Sequence, residues 1–594
     1  MESPSLRLRL VAWAALLATV LGLSVHAFYI TRAGADAVYM DTLRLLWQWS
    51  EFRHGRLPLL DWWGQQGTAH SGLIFQTVLA ANASWFGLDT LLANHLTGVV
   101  IASVVLVLSA AYILDIKRSG KVPPVVLAVM VVVTTAMLCF SFSGFEVLTL
   151  DLGLGLWLKN ALIFVLFLAH AGTLRGKEPG KRAVAALSAY GALVIVLCAM
   201  GWSYAVVGAV VGVQSLHHVM LRTWPTASQA ALPVSLVSAL VAVGIGKRVY
   251  FGHVDEVGVG LGTDIVRQWL LSLASTFVNG ETVARLGLPT LLLVALGALL
   301  ALGFVAAAVI RALDRRASLM PVHLIAYASL CALSFVLARG GLGDEAVMAS
   351  RYHMDVFPGL VGLLWIASMG AQNLVRLPRW TPGAVVVALV GITTVFQAWQ
   401  ARVEWGIAPY RNTAFEAMKQ ALREGVPNEA AATLLQSPIE HARHGAAVMR
   451  RERLAVFRDA PAVPGEAACS VAWGTGEGWY AREQGGTWSS ARAVFDVPAC
   501  ACKYRVDIHL PADYSPRTVT LTQAVNPSGK PVATLALVPG RTTSLAIPAS
   551  ATTQRYVLAS SRTTIPAQAG LNQDVRALGV YMGQPQVSCP SRAH

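Results

Sequence analysis

Two short runs of this chain hold residue types that can move a proton and steady a phosphate. The first is ADAVYMDT, which carries Asp36 and Asp41. A carboxylate held partly out of water has a raised pKa, which suits a general base at neutral pH. The second is RYHMDVFPG, which opens on Arg351 and Tyr352. A guanidinium keeps its charge, bonds phosphate oxygens in pairs and can stabilise charge gathering on a leaving phosphate. Glu146, in FSGFEVLTLD with Asp151 close behind, is a candidate for binding an acceptor or a metal, or is simply part of a wet turn. Lys247 and Arg248 end an apolar run; they either meet an anionic ligand or mark a misplaced run end. No Gly-rich phosphate loop, HExxH or Gly-x-Ser-x-Gly pattern is present, so nucleotide, zinc-protease and serine-hydrolase readings have no motif to rest on.

Apolar helices must position these residues. The chain has 594 residues, 55% hydrophobic and 13% charged, where soluble domains carry about 25% charged residues. A bilayer-crossing helix needs about 20 mainly apolar residues. Eleven runs approach that length: Leu10–Tyr29, Leu96–Leu114, Val122–Phe140, Leu154–Leu174, Ala183–Ala199, Tyr204–Met220, Leu232–Ile245, Leu288–Ile310, Val322–Leu337, Phe357–Val375 and Ala384–Trp399. No small-residue cleavage site follows the first, which reads as a retained helix rather than a signal peptide. With the N-terminus inside, the packets Arg7/Arg9, Lys117/Arg118/Lys121, Arg175/Lys177/Lys181/Arg182, Arg222, Arg311/Arg315/Arg316 and Arg376/Arg379 all fall on the cytoplasmic side, as the positive-inside pattern requires. The net charge of +14 therefore sits in packets between apolar runs and forms no basic stripe, which argues against a nucleic-acid partner. The expected protein is a multi-pass, α-helical resident of a bacterial inner membrane, with the lipid bilayer as its solvent.

An odd number of spans puts the polar tail outside, facing the same way as the first loop (30–95). That loop is rich in Trp, which favours the membrane interface, and part of it is expected to lie along the bilayer surface. The transmembrane domain is expected over 1–400, a periplasmic helical linker over 401–460, and a periplasmic domain over 461–594. In the last, short alternating runs such as YRVDIHL, RTVTLTQAV and RYVLAS, punctuated by Pro, Gly and Ser, indicate an all-β sandwich. Cys469, Cys500, Cys502 and Cys589 all fall in this tail and suggest two disulfides in an oxidising compartment, with three pairings open. Cys139, Cys198 and Cys331 lie in apolar runs and read as small hydrophobes. Trp473, Trp479, Tyr480 and Trp488 either offer faces to sugar rings or fill the sandwich core.

The run GWYAREQGGTWSSARAVFDV, with LGVYM near the end, resembles the jelly-roll-like domain appended to several bacterial membrane glycosyltransferases. The acidic first loop and the Arg-Tyr followed by proline at a membrane boundary resemble the large-loop glycosyltransferases of the GT-C superfold. That resemblance implies a fold of about 11 transmembrane helices with a periplasmic β domain. It also implies inverting transfer of a sugar from a polyprenyl-phosphate donor to a surface-glycan or lipid-linked acceptor. Asp41 or Asp36 would be the base, although the pattern is not the Asp-Glu pair of the best-known mannosyltransferase branches. Arg351 and Tyr352, with Lys247 and Arg248, would hold the donor phosphate. LPLLDWWGQQGTAHSGLIFQ resembles a segment of uncharacterised bacterial members and implies Asp61 and His70 as acceptor- or sugar-binding residues, beside which Trp62 and the separate Glu146 stand as further candidates; Ser71 stands where that pattern has arginine. No cofactor follows, and a divalent cation stays open. The rival readings are an envelope glycan polymerase or ligase, and a non-catalytic glycan-binding membrane scaffold.

Overall fold

The structure is a computed structural model that describes residues 4–55, 57–64, 73–175, 180–198, 200–251, 264–314, 316–370, 381–459, 477–480, 486–497, 502–524, 531–550, 552–571, 574–583 and 586–588. An apolar run can satisfy its backbone polar groups without water only by bonding within itself, as a helix. Ten helices among the described residues are long and apolar enough to cross a membrane: Ser5–Ala33, Thr90–Ser119, Val125–Thr149, Gly153–Thr173, Lys181–Cys198, Trp202–Leu221, Ala227–Gly246, Thr290–Ala312, Met320–Leu342 and Gly383–Arg423. They coincide with ten of the expected runs. The remaining run, Phe357–Val375, is represented by His353–Met369, a 17-residue helix buried along nearly its whole length. Several outward faces stay apolar, with Trp13, Leu17 and Phe28 exposed on the first helix and Leu291, Leu299, Leu302 and Val305 on Thr290–Ala312. Continuous exposed apolar faces suit lipid better than water, so the body is compatible with a multi-pass membrane protein.

Hydrogen bonds fix where the helices begin and turn. Asp89 caps Thr90–Ser119 by accepting from Leu92 N at 2.8 Å, and Asn82 clasps the Asp89 backbone in both directions. Asn279 caps Gly280–Leu286 by accepting from Thr282 N at 2.9 Å. Side-chain oxygens at these positions satisfy amides that the helix itself leaves unbonded. A Cβ on Gly153 would lie 2.0 Å from the Val147 carbonyl oxygen, so only glycine lets the chain turn back there. The bundle has two ends. At the distal end the close of the first helix meets the start of Thr90–Ser119 and the 140–152 turn. At the proximal end the closes of Thr90–Ser119, Gly153–Thr173 and Thr290–Ala312 converge.

The chain divides into two compact units, Met1–Leu45 with Leu59–Gln420 and Leu46–Pro58 with Ala421–His594. Thr381–Arg423 is one unbroken helix, so the expected end of the last span at Trp399 falls inside it. In the second unit, helices Glu429–Leu434 and Ile439–Glu452 follow, and Arg53 pairs with Glu452 at 3.3 Å. Among the described residues nine strands come next: β1 Gly486–Trp488, β2 Arg492–Val497, β3 Lys503–His509, β4 Arg517–Gln523, β5 Ala533–Leu537, β6 Thr542–Ile547, β7 Gln554–Ser560, β8 Tyr581–Gly583 and β9 Gln586–Ser588. One antiparallel sheet runs β1-β8-β3-β6, with β9 also on β3, and the other runs β2-β7-β4-β5. Alternate residues such as Tyr504, Val506 and Ile508 point inward and meet Phe495, Leu521 and Tyr556 of the other sheet in one apolar core. Trp488 lies in that core, and Trp479 and Tyr480 pack on it. Trp488 therefore helps fill the core, while Trp479 and Tyr480 pack on it and stay partly exposed; Trp473 lies outside the described residues.

Candidate distal site

Three turns are stitched together at the distal end. Asn94, near the start of Thr90–Ser119, donates to the Ala35 carbonyl at 2.9 Å and to the Thr149 carbonyl at 3.1 Å. The Thr42 hydroxyl donates to Asp151 at 2.8 Å. Burial pushes the Asp151 carboxyl up to about 6, against the lowering effect of that hydroxyl and of backbone amides. Burial likewise pushes the Tyr39 phenol up, and the nearby Glu146 carboxylate adds to it. The Asp36–Asp41 segment is thus held against the Glu146 turn.

The Glu146 turn in turn holds the Arg351 turn. Arg351 donates to Glu146 at 3.0 Å, and the Ser350 hydroxyl donates to the other Glu146 oxygen at 3.1 Å. Burial works against the charge on Arg351, but Glu146 and Tyr352 outweigh it and hold the guanidinium above its ordinary value. A third segment joins through Glu281, whose carboxylate accepts from Ser350 N at 3.3 Å. Gly280 makes this approach possible. Its amide donates to Met348 O at 2.8 Å, and a Cβ there would lie 2.7 Å from the Glu345 carbonyl oxygen. Burial raises the Glu281 carboxyl, and repulsion from Glu146 raises it further. Arg351 keeps 40% of its side chain exposed and Glu281 is exposed, although protein crowds both. That combination describes a recess open to solvent. On its other flank the Arg411 guanidinium covers the Phe145 ring at 3.7 Å and pairs with Glu404 at 2.7 Å.

The other candidates divide clearly. Asp36 accepts from the Thr90 hydroxyl at 2.7 Å and lies 4.0 Å from Lys419 Nζ. Asp41 opens helix Asp41–Arg53, keeps 61% of its side chain exposed and pairs with Arg44 at 3.5 Å on its own helix. Tyr352 is buried and stacks on Phe335 with ring centroids 4.0 Å apart, so it props the turn. Trp62 is buried, and its backbone carbonyl accepts from the Gln76 amide. Lys247 and Arg248 belong to helix Ala227–Phe251 and Asp61 to Leu59–Gly64, but their side chains lie outside what is described, as does His70 entirely. Cys502 is disulfide-bonded, whereas Cys469, Cys500 and Cys589 lie outside the described residues. Cys139, Cys198 and Cys331 are free and buried. Among the described residues no group of three or more His, Cys, Asp or Glu side chains could hold a metal ion.

Sequence reading overlooked Glu281 and the charges inside the apolar runs. Lys159 and Asp355 form a 2.7 Å ion pair with both side chains fully buried. Asp355 also accepts from Trp202 at 2.9 Å and from Tyr327 at 2.8 Å, and Lys159 sits 3.9 Å from the Trp202 ring centre. At the proximal end Asp115 is bound by Arg311, by Arg175 at 2.8 Å, by Ser318 N at 2.8 Å and by the Trp365 indole at 2.9 Å. His170 and His323 meet at 2.9 Å and continue to Gln214. The available signal was a lone charge within an apolar run, which is costly unless it has a partner. No protein-family model matches this chain, and no curated protein sequence matches it.

Proposed function

We propose that the chain is a polytopic membrane glycosyltransferase of the GT-C kind. It would transfer a sugar from a polyprenyl-phosphate donor to a glycan or lipid-linked acceptor on the non-cytoplasmic face, with inversion. The observation that carries this reading is the distal junction, where the Asp36–Asp41 segment is tied to the Glu146 turn and that turn to Arg351. One chemistry needs a carboxylate for an attacking hydroxyl and a fixed cation for a departing phosphate. The acceptor hydroxyl gives its proton to the carboxylate, its oxygen bonds the anomeric carbon, and the bond from that carbon to phosphate oxygen breaks. The leaving phosphate then carries the negative charge beside Arg351. Asp36 is favoured over Asp41 as base, because Thr90 on another helix orients it, while Asp41 pairs with Arg44 on its own helix.

The test is release of polyprenyl phosphate by the purified full chain, given a panel of polyprenyl-phosphate sugars and envelope glycan acceptors. Wild type should release it from at least one donor, and Arg351→Gln and Asp36→Asn should each lower the rate at least about a hundredfold. No turnover of any donor, or equal rates in both variants, would remove this reading and leave a non-catalytic scaffold.

A further inference from the structure

Around Ser350 the count of charges does not balance. Two carboxylates, Glu146 and Glu281, lean on this one residue, through its hydroxyl and its amide. The one guanidinium bonded to them, Arg351, is engaged by Glu146. Among the described residues Glu281 has no cation partner; it accepts only backbone amides and the influence of Ser350. Among the described residues no second cation is bonded to this pair. Arg411 is taken by Glu404 and by the Phe145 ring, and Arg285 acts on Glu404. Asp344, beyond Gly280, pairs with Arg267 at 2.5 Å, while the neighbouring Glu345 adds only another negative charge. Asp151 is held by Thr42, and Tyr39 faces Glu146 as a neutral phenol. The His353 ring lies between the Ser275 and Leu138 carbonyl oxygens, 3.3 Å from each, so both ring nitrogens are engaged there.

Only one guanidinium nitrogen of Arg351 bonds Glu146, so an anion can engage the remaining N–H donors while Glu146 stays beside it. The recess would then hold three negative groups against one positive charge, at short range and with protein on most sides, where repulsion is poorly screened. Two carboxylates forced together respond by sharing a proton. We propose that this recess is a proton-linked site for a lipid phosphodiester: the phosphate joins Glu146 on Arg351, and the Glu146–Glu281 pair takes up one proton from solvent. This rests on the reading of Arg351 as a phosphate anchor and adds to it that anion binding and proton binding are coupled. No covalent bond changes in this step.

The probe is dihexadecyl phosphate, a phosphodiester with no second proton to titrate, so any proton counted belongs to the protein. The full chain in detergent is titrated calorimetrically near pH 7.5 in phosphate-free buffers that differ in protonation enthalpy. Wild type should bind with uptake approaching one proton per anion, and affinity should tighten toward about tenfold per pH unit as pH falls. Dimethyl phosphate, which carries the same group without chains, should bind at least about tenfold more weakly. Glu281→Gln should bind with uptake cut to less than half and a flattened pH dependence, and Glu146→Gln serves as the second variant on the same pair. Binding without uptake, or uptake unchanged in both variants, would overturn the linkage and leave the phosphate anchor standing. No binding by wild type, or equal binding by Arg351→Gln, would overturn the anchor and the linkage together. Equal affinity for dimethyl phosphate would overturn the assignment to lipid.

Discussion

The two ends of the bundle each join a carboxylate to a guanidinium, and they do so in opposite ways. At the proximal end Asp115 receives two arginines, an indole and a backbone amide, and it and Arg311 are almost wholly buried, at 1% and 4% side-chain exposure. Every acceptor position is used, so no room is left for a ligand. At the distal end Glu146 receives one arginine and one hydroxyl, Arg351 stays 40% exposed, and Glu281 has no cation partner among the described residues. Identical chemical groups therefore form a closed strut in one place and an open, charge-imbalanced recess in the other. A buried ion pair is by itself weak evidence of function; what marks a site is polar capacity left unused at an accessible position.

The closed end should break hardest. Asp115→Asn leaves Arg311 and Arg175 without their counter-charge, and loss of a buried partner costs about 3–5 kcal/mol, here near the upper figure because two cations are stranded. Thermal melting of the purified protein in detergent reads this directly. Lys159→Met should cost slightly less, about 3–4 kcal/mol, by stranding Asp355 among apolar helices. The double change Lys159→Met with Asp355→Leu should recover most of that loss, because an apolar pair of similar volume removes both charges.

Asp151 gives a smaller effect with a defined pH sign. Its folded pKa is raised from 3.8 to about 6 by burial, so the native state holds a proton that the unfolded chain has already released. Stability is therefore full below about pH 4, falls as pH rises toward about 6 and is flat above, a step of up to about 3 kcal/mol. Asp151→Asn should remove that step in melts taken across the same range.

Much of the framework could be read from residue patterns. Ten of the expected apolar runs are helices, and the runs YRVDIHL, RTVTLTQAV and RYVLAS coincide with strands. Hydropathy and alternation report what a segment is, because they reflect the solvent each face meets. They do not report which segments touch. Arg351 and Glu146 were visible as separate candidates, but the 3.0 Å bond between them is a tertiary fact. Glu281 carries no motif in the sequence, and only its contact with Ser350 N and its nearness to Glu146 give it a setting. Lys159 and Asp355 were hidden in otherwise apolar runs, and Trp488 offered the same letters for a sugar platform as for a core residue.

The smallest expected effect on stability belongs to the open end, and it carries the sharpest test. Melting temperature and release of polyprenyl phosphate should be measured on the same preparations of wild type, Arg351→Gln and Asp115→Asn. Arg351 is partly in solvent, so its loss should cost under about 1 kcal/mol, and Arg351→Gln should melt like wild type while releasing no polyprenyl phosphate. Asp115→Asn should melt well below both. The account is contradicted if Arg351→Gln melts as low as Asp115→Asn, or if it keeps its fold and turns over donor at the wild-type rate.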